Sequence, residues 1–243
     1  MRRRGRIITL EGPSGAGKTT VVRAAARAFG WVPLAEAFER LDPAPSLRFR
    51  TEAELLSLEA ALLAEEGRRY REAVAQRRAG RTVIADTGFF GPLTYTAGLV
   101  ALRKARRSSL ERLQATVEGR GASRRLGLPD AIVYVDVPAR LRRSRARRDP
   151  RGHPREFAGR HESVGRVERR LYRALAEGPL SDRIWFVSGA GSPRAVARRV
   201  QAALRSVGAR PPSRKTLRDV LVTLADEASR RPALPRRPRV RHR

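Results

Sequence analysis

The residues Gly12-Pro13-Ser14-Gly15-Ala16-Gly17-Lys18-Thr19 fit the pattern G-x-x-x-x-G-K-[ST]. Glycines let such a loop close tightly, so that successive backbone N–H groups point inward around a phosphate. A helix starting at the end of the loop adds its positive N-terminal end. In this pattern Lys18 reaches the β- and γ-phosphates, the Thr19 hydroxyl holds Mg²⁺, and Thr20 completes the phosphate-side segment. The chemistry implied is binding of a nucleoside triphosphate, ATP in the first instance with GTP as an alternative, together with Mg²⁺.

Asp86 closes the apolar run TVIAD. A carboxylate at that point can hold Mg²⁺ through water or orient an acceptor. Arg143, Arg145 and Arg147, then Arg151, Arg155 and Arg160, crowd one stretch. A phosphoryl group in transit spreads negative charge over its oxygens, and cations stabilise it when water is kept out. Such a stretch could swing over the phosphates as a lid.

These groups need a scaffold. Five short apolar runs, Arg6–Leu10, Trp31–Ala35, Thr82–Asp86, Ala131–Asp136 and Arg183–Ser188, read as strands buried on both faces, the second interrupted by Pro33. Between them lie helical patterns at Lys18–Phe29, Glu52–Arg78, Leu93–Arg103, Ser109–Glu118, Pro138–Arg147, Glu162–Ala176 and Pro193–Val207. Alternation of this kind predicts an α/β fold, a mostly parallel sheet covered on both sides, with ligands at the carboxyl ends of the strands. Residues 149–160, with two prolines and two glycines, read as a mobile loop. The chain divides into a domain over 1–208, with a lid around 140–160, and a basic, partly disordered extension over 209–243 that contains an amphipathic stretch, Thr216–Ser229.

Composition narrows the functions. With no cysteine, disulfides, thiolate metal sites and cysteine nucleophiles are excluded. No apolar run is long enough to span a bilayer, and a cytoplasmic protein is expected. The net charge of +29 attracts anionic substrates and keeps nucleic acid as an alternative partner. All but three of the 53 basic residues are arginine, so part of this charge fits compositional drift. Aromatics are too sparse for a base-stacking surface.

Three segments, EGPSGAGKTT, VIADTGFFGPLTYTAG and PDAIVYVDVPARLRRSRARRDPRG, together resemble the thymidylate kinase and deoxynucleoside kinase branch of the P-loop kinases, from about Arg6 to about Leu204. The resemblance implies a five-stranded parallel sheet in order 2-3-1-4-5 flanked by helices, an arginine-bearing lid, and ATP- and Mg²⁺-dependent phosphoryl transfer to a nucleoside or nucleoside monophosphate. It assigns lid roles to Arg145 and Arg147, by their spacing from Asp136-Val137-Pro138, and places a general base at Glu36. Dimers are common in that branch, so a homodimer is compatible with it. Thr87 stands where the family usually has an arginine after the strand-end acid, and Ser14 where thymidylate kinases commonly carry an acid. These positions leave a hydroxyl and a phosphate acceptor both open. Phe89, Phe90, Tyr95 and Tyr70 are candidates for a base-stacking wall or for ordinary core. The alternatives are a kinase of a non-nucleotide hydroxyl metabolite and a regulatory NTPase associated with nucleic acid.

Overall fold

The computed structural model describes residues 5–43, 49–119, 126–147, 155–205, 207 and 217–230. Its strands are β1 (Ile7–Glu11), β2 (Val32–Leu34), β3 (Val83–Asp86), β4 (Ala131–Asp136) and β5 (Ile184–Ser188), all parallel, in the order β2-β3-β1-β4-β5. The helices are α1 (Lys18–Phe29), α2 (Glu52–Arg78), α3 (Gly91–Ala101), α4 (Arg107–Glu118), α5 (Ala139–Arg147), α6 (Arg155–Glu177), α7 (Pro193–Arg205) and α8 (Leu217–Ser229), with a 3-10 turn at Ala37–Arg40. The expected sheet order is therefore the observed one.

Side chains alternate across the strands, so neighbours such as Ile7 and Ile8 enter different cores. Ile7, Val83, Ala85, Ile132 and Tyr134 face α2, α3, α4, α6 and α8. Ile8, Leu10, Ile84, Val133 and Val135 face α1 and α7. Each fully buried Ile, Val or Leu contributes roughly 1.5–3 kcal/mol, so continuous β-branched runs hold both layers on one sheet. Pro33 is tolerated because β2 lies at the sheet edge, where an absent N–H costs no second ladder.

Two expectations change. Residues 155–160 are not loop but the first turns of α6, while 148–154 lie outside the described residues. The amphipathic stretch of the C-terminal extension, α8, packs within the main core: Val220, Leu221 and Leu224 are buried with α3 and α6. Gln114 Nε2 donates to Leu221 O at 2.8 Å, and Arg170 Nη2 donates to Glu227 O at 2.7 Å. Residues 231–243 lie outside the described residues.

The length of α2 matters most for the site. Thr51 caps it by accepting from Glu54 N at 3.2 Å. Its 27 residues span about 40 Å, whereas β3 spans about 13 Å. Because α2 feeds directly into β3, its first half stands beyond the carboxyl edge of the sheet. There it meets α3 and α6, with Leu55, Leu99 and Val164 packed together.

Candidate active site

Gly12, Gly15 and Gly17 all have positive φ, at 135°, 77° and 86°, which is what bends the segment from β1 into α1. Gly12 is also a close approach: a Cβ there would lie 2.7 Å from Val135 O. Pro13 O accepts from Ala16 N at 3.0 Å, forming the turn around Ser14 and Gly15. Lys18 Nζ reaches back across the loop to Gly12 O at 2.8 Å. Thr19 lies partly buried in the first turn of α1, and Thr20 is exposed. The sequence-predicted segment thus forms one loop at the carboxyl end of β1.

Arg145, assigned to the lid by the family resemblance, lies against this loop. Its guanidinium donates to Ala16 O at 2.7 Å and to Gly189 O at 2.9 Å, tying α5 to the phosphate loop and to the turn after β5. The backbone of Arg147 ends α5, and its side chain lies outside the described residues.

Asp86 and Glu36 come together at the carboxyl ends of β3 and β2. Asp86 is 2% exposed, and neither carboxylate oxygen has a hydrogen-bond partner. Thr87 has φ 62°, an uncommon conformation for a β-branched residue. It is held by Thr87 N donating to Leu10 O at 3.1 Å. That geometry turns the Thr87 hydroxyl to donate to Glu36 Oε1 at 3.3 Å. Burial raises the Glu36 pKa above the ordinary carboxylate value; Lys18 opposes this and Asp86 reinforces it.

The sequence reading missed Arg69 and Glu66. Arg69, on α2, is fully buried and donates to Glu66 Oε2 at 2.5 Å, to Asp86 O at 2.8 Å and to Thr87 O at 3.1 Å. It therefore brings a guanidinium from another element to the end of β3, where the kinases that the sequence resembles usually carry one at the position of Thr87. The signal was present as an i, i+3 acid–base pair on the inward stripe of α2, between Leu63 and Ala73.

A second missed group lies behind the loop. Glu11 ends β1 and is 1% exposed. Burial, then the charge of Glu168, lift its pKa to about 8, against the opposing influence of Tyr172 and Lys18. Burial likewise lifts Glu168, on α6, to about 7. Glu11 lies directly behind the loop, at the end of the strand that feeds it. Gly88 makes room for it, since a Cβ there would lie 2.0 Å from Glu11 Oε1. α6 presses directly on the loop: a Cβ at Gly165 would approach Pro13 Cβ to 2.9 Å.

Of the aromatic candidates, Phe89 and Phe90 are buried in the core, and Tyr70 meets Phe89 edge-on with ring centroids 4.9 Å apart. Tyr95 instead joins Leu55, Leu99 and Val164 where α2, α3 and α6 rise above the sheet.

Among the described residues, no three His, Asp or Glu side chains form a metal-binding group. Asp86 nevertheless offers two buried, unpartnered oxygens beside the loop that carries Thr19. This donor set fits Mg²⁺, which is ordinarily held by one or two carboxylates plus phosphate oxygens and water.

The fold and this loop define a P-loop phosphate-binding protein. A family model described as an AAA domain matches residues 7–172, over half of the chain, and the chain belongs to that family. No curated protein matches it. Among solved structures, deoxyadenosine kinase from M. mycoides with bound dATP is similar at 14% identity and TM-score 0.65, covering 82% of this chain and 99% of that one. The same enzyme with products dCMP and a flexible dCDP bound aligns at 15% identity and TM-score 0.63, with the same coverage. Both share the fold. Among the described residues, no helix is long and apolar enough to cross a membrane.

Proposed function

We infer that this protein is a kinase that transfers the γ-phosphoryl group of ATP, with Mg²⁺, to the hydroxyl of a nucleoside. The observation that carries the acceptor reading is the placement of Glu36, raised in pKa and bonded to Thr87, at the carboxyl edge near Lys18 and Asp86. A hydroxyl must lose a proton as it attacks, and a carboxylate with a raised pKa is suited to take it. A phosphate acceptor would instead meet Glu36 and Asp86, while Arg69 is engaged by Glu66 and two carbonyls. The structural similarity to a deoxyadenosine kinase supports the same acceptor class.

The geometry supports the following roles. The loop N–H groups and the α1 N-terminus bind the β-phosphate, and Lys18 leaves Gly12 O for the phosphate oxygens. Thr19 and Asp86 would hold Mg²⁺, which when bound draws charge from the β- and γ-phosphates. Glu36 accepts the proton of the attacking hydroxyl. Arg145 braces the loop, and Arg147 remains the lid candidate.

The test is transfer of labelled γ-phosphate from ATP·Mg²⁺ to nucleosides, nucleoside monophosphates and unrelated alcohols, with Lys18→Ala as control. Label on a nucleoside is expected. Label confined to monophosphates would refute the hydroxyl assignment, and full turnover by Lys18→Ala would refute the kinase.

A further inference from the structure

The two faces of the sheet differ in charge. α1 (KTTVVRAAARAF) and α7 (PRAVARRVQAALR) cover one face, and α5 (ARLRRSRAR) adjoins them through Leu141; none of the three contains a carboxylate. The charged helices of the other face, α2, α4, α6 and α8, all mix acids with arginines. That face carries ion pairs such as Arg68–Glu65, Arg69–Glu66, Arg107–Glu111 and Arg170–Glu227. Among the described residues, no ion pair involves α1 or α7. Arginine abundance runs through the whole chain, so drift accounts for arginines on both faces. It does not account for the absence of acids from one of them.

Arg23 and Arg27 on α1, and Arg194, Arg198 and Arg205 on α7, are exposed. Arg199 differs, since it is spent on Ser188 O and Ala190 O. An i, i+4 pair is about 6 Å apart along a helix, and Arg194 to Arg205 spans about 16 Å. Packed helices lie about 8–10 Å apart, so the arginines form two rows at spacings a phosphate backbone can meet. Among the described residues, the exposed large apolar side chains are Phe186 and Val222. Val222 is on α8, and Phe186 packs against Tyr134 of the opposite core. Among the described residues, the basic face thus carries no fully exposed large apolar wedge to enter a bilayer.

We propose that the α1–α7 face is a nucleic-acid binding surface that engages the phosphate backbone without reading sequence. This function goes beyond phosphoryl transfer and does not depend on the acceptor. The test is fluorescence anisotropy with the full chain, a labelled RNA strand of about 20 nucleotides and a DNA duplex of similar length, over a salt series. Arg194→Ala/Arg198→Ala/Arg205→Ala is compared with Arg71→Ala/Arg78→Ala/Arg173→Ala, which removes equal charge from exposed positions of the other face. The α7 triple is expected to weaken binding at least about tenfold and to lower the slope of log K against log salt by about three, roughly one per phosphate contact. The control triple is expected to weaken it less than about threefold. Equal losses would overturn the proposal, because net charge would then suffice. A wild-type salt slope below about one would overturn it without any variant, as would tighter binding to phosphatidylserine vesicles than to either nucleic acid.

Discussion

The two halves of the site are built on different plans. The proposed phosphate half is one contiguous segment, Gly12 to Thr19, which would bind mostly through backbone N–H groups and whose shape is set by three positive-φ glycines. The proposed acceptor half is drawn from the end of β2 (Glu36), the middle of α2 (Glu66, Arg69) and the end of β3 (Asp86, Thr87). A triphosphate looks the same whatever the acceptor, so a short backbone loop can bind it. An acceptor must be recognised by side chains, and these can come from any element that reaches the carboxyl edge.

Breaking the first half should cost most. Lys18→Ala is expected to lower kcat for γ-phosphate transfer by about a thousandfold or more, as loss of a preorganised charge at the transferring group does. On the acceptor side, Arg69→Met leaves Glu66 buried without its cation and two carbonyls unmet, and should destabilise the fold by about 3–5 kcal/mol in denaturant melts. The double variant Arg69→Met/Glu66→Leu should recover much of that loss.

Glu36→Gln should lower kcat by about 10²–10⁴-fold while ATP affinity, measured by titration, stays near wild type. Glu36 acts as a base only when deprotonated, so wild-type transfer should rise with pH through its raised pKa, and that acid limb should vanish in the variant. Arg145→Ala removes the brace between Ala16 O and Gly189 O. It should lower kcat about tenfold to a hundredfold through misplacement of the loop, separating a positioning role from one confined to the phosphoryl group in transit.

The last effect concerns stability and leaves the chemistry untouched. Glu59 is 3% exposed and Oε2 has no partner. Burial raises its pKa to about 8. Its favourable contribution is present below the ordinary value of 4.5 and is lost as pH rises through about 8. Glu59→Gln should therefore match the wild-type Tm near pH 4.5 and exceed it above pH 8.

Much of this fold could be read from the chain because buried parallel strands appear as uninterrupted β-branched runs and the phosphate loop is local. α1 and α2 begin and end where their patterns do. What could not be read required distance. The side chains of Arg69 and Glu11 become site residues only once α2 and α6 are placed against β1 and β3. The bonds of Arg145 depend on the turn after β5. α8 follows a Pro- and Arg-rich segment, which hides that its apolar stripe completes the core beside α3.

The clearance at Gly88 has a consequence for descent. Since a Cβ there would meet both Glu11 Oε1 and the Thr9 side chain, positions 9, 11 and 88 cannot vary independently. A side chain at 88 would require both Glu11 and Thr9 to shift or shrink. A change in one of these two segments is therefore expected to be tolerated only with a matching change in the other.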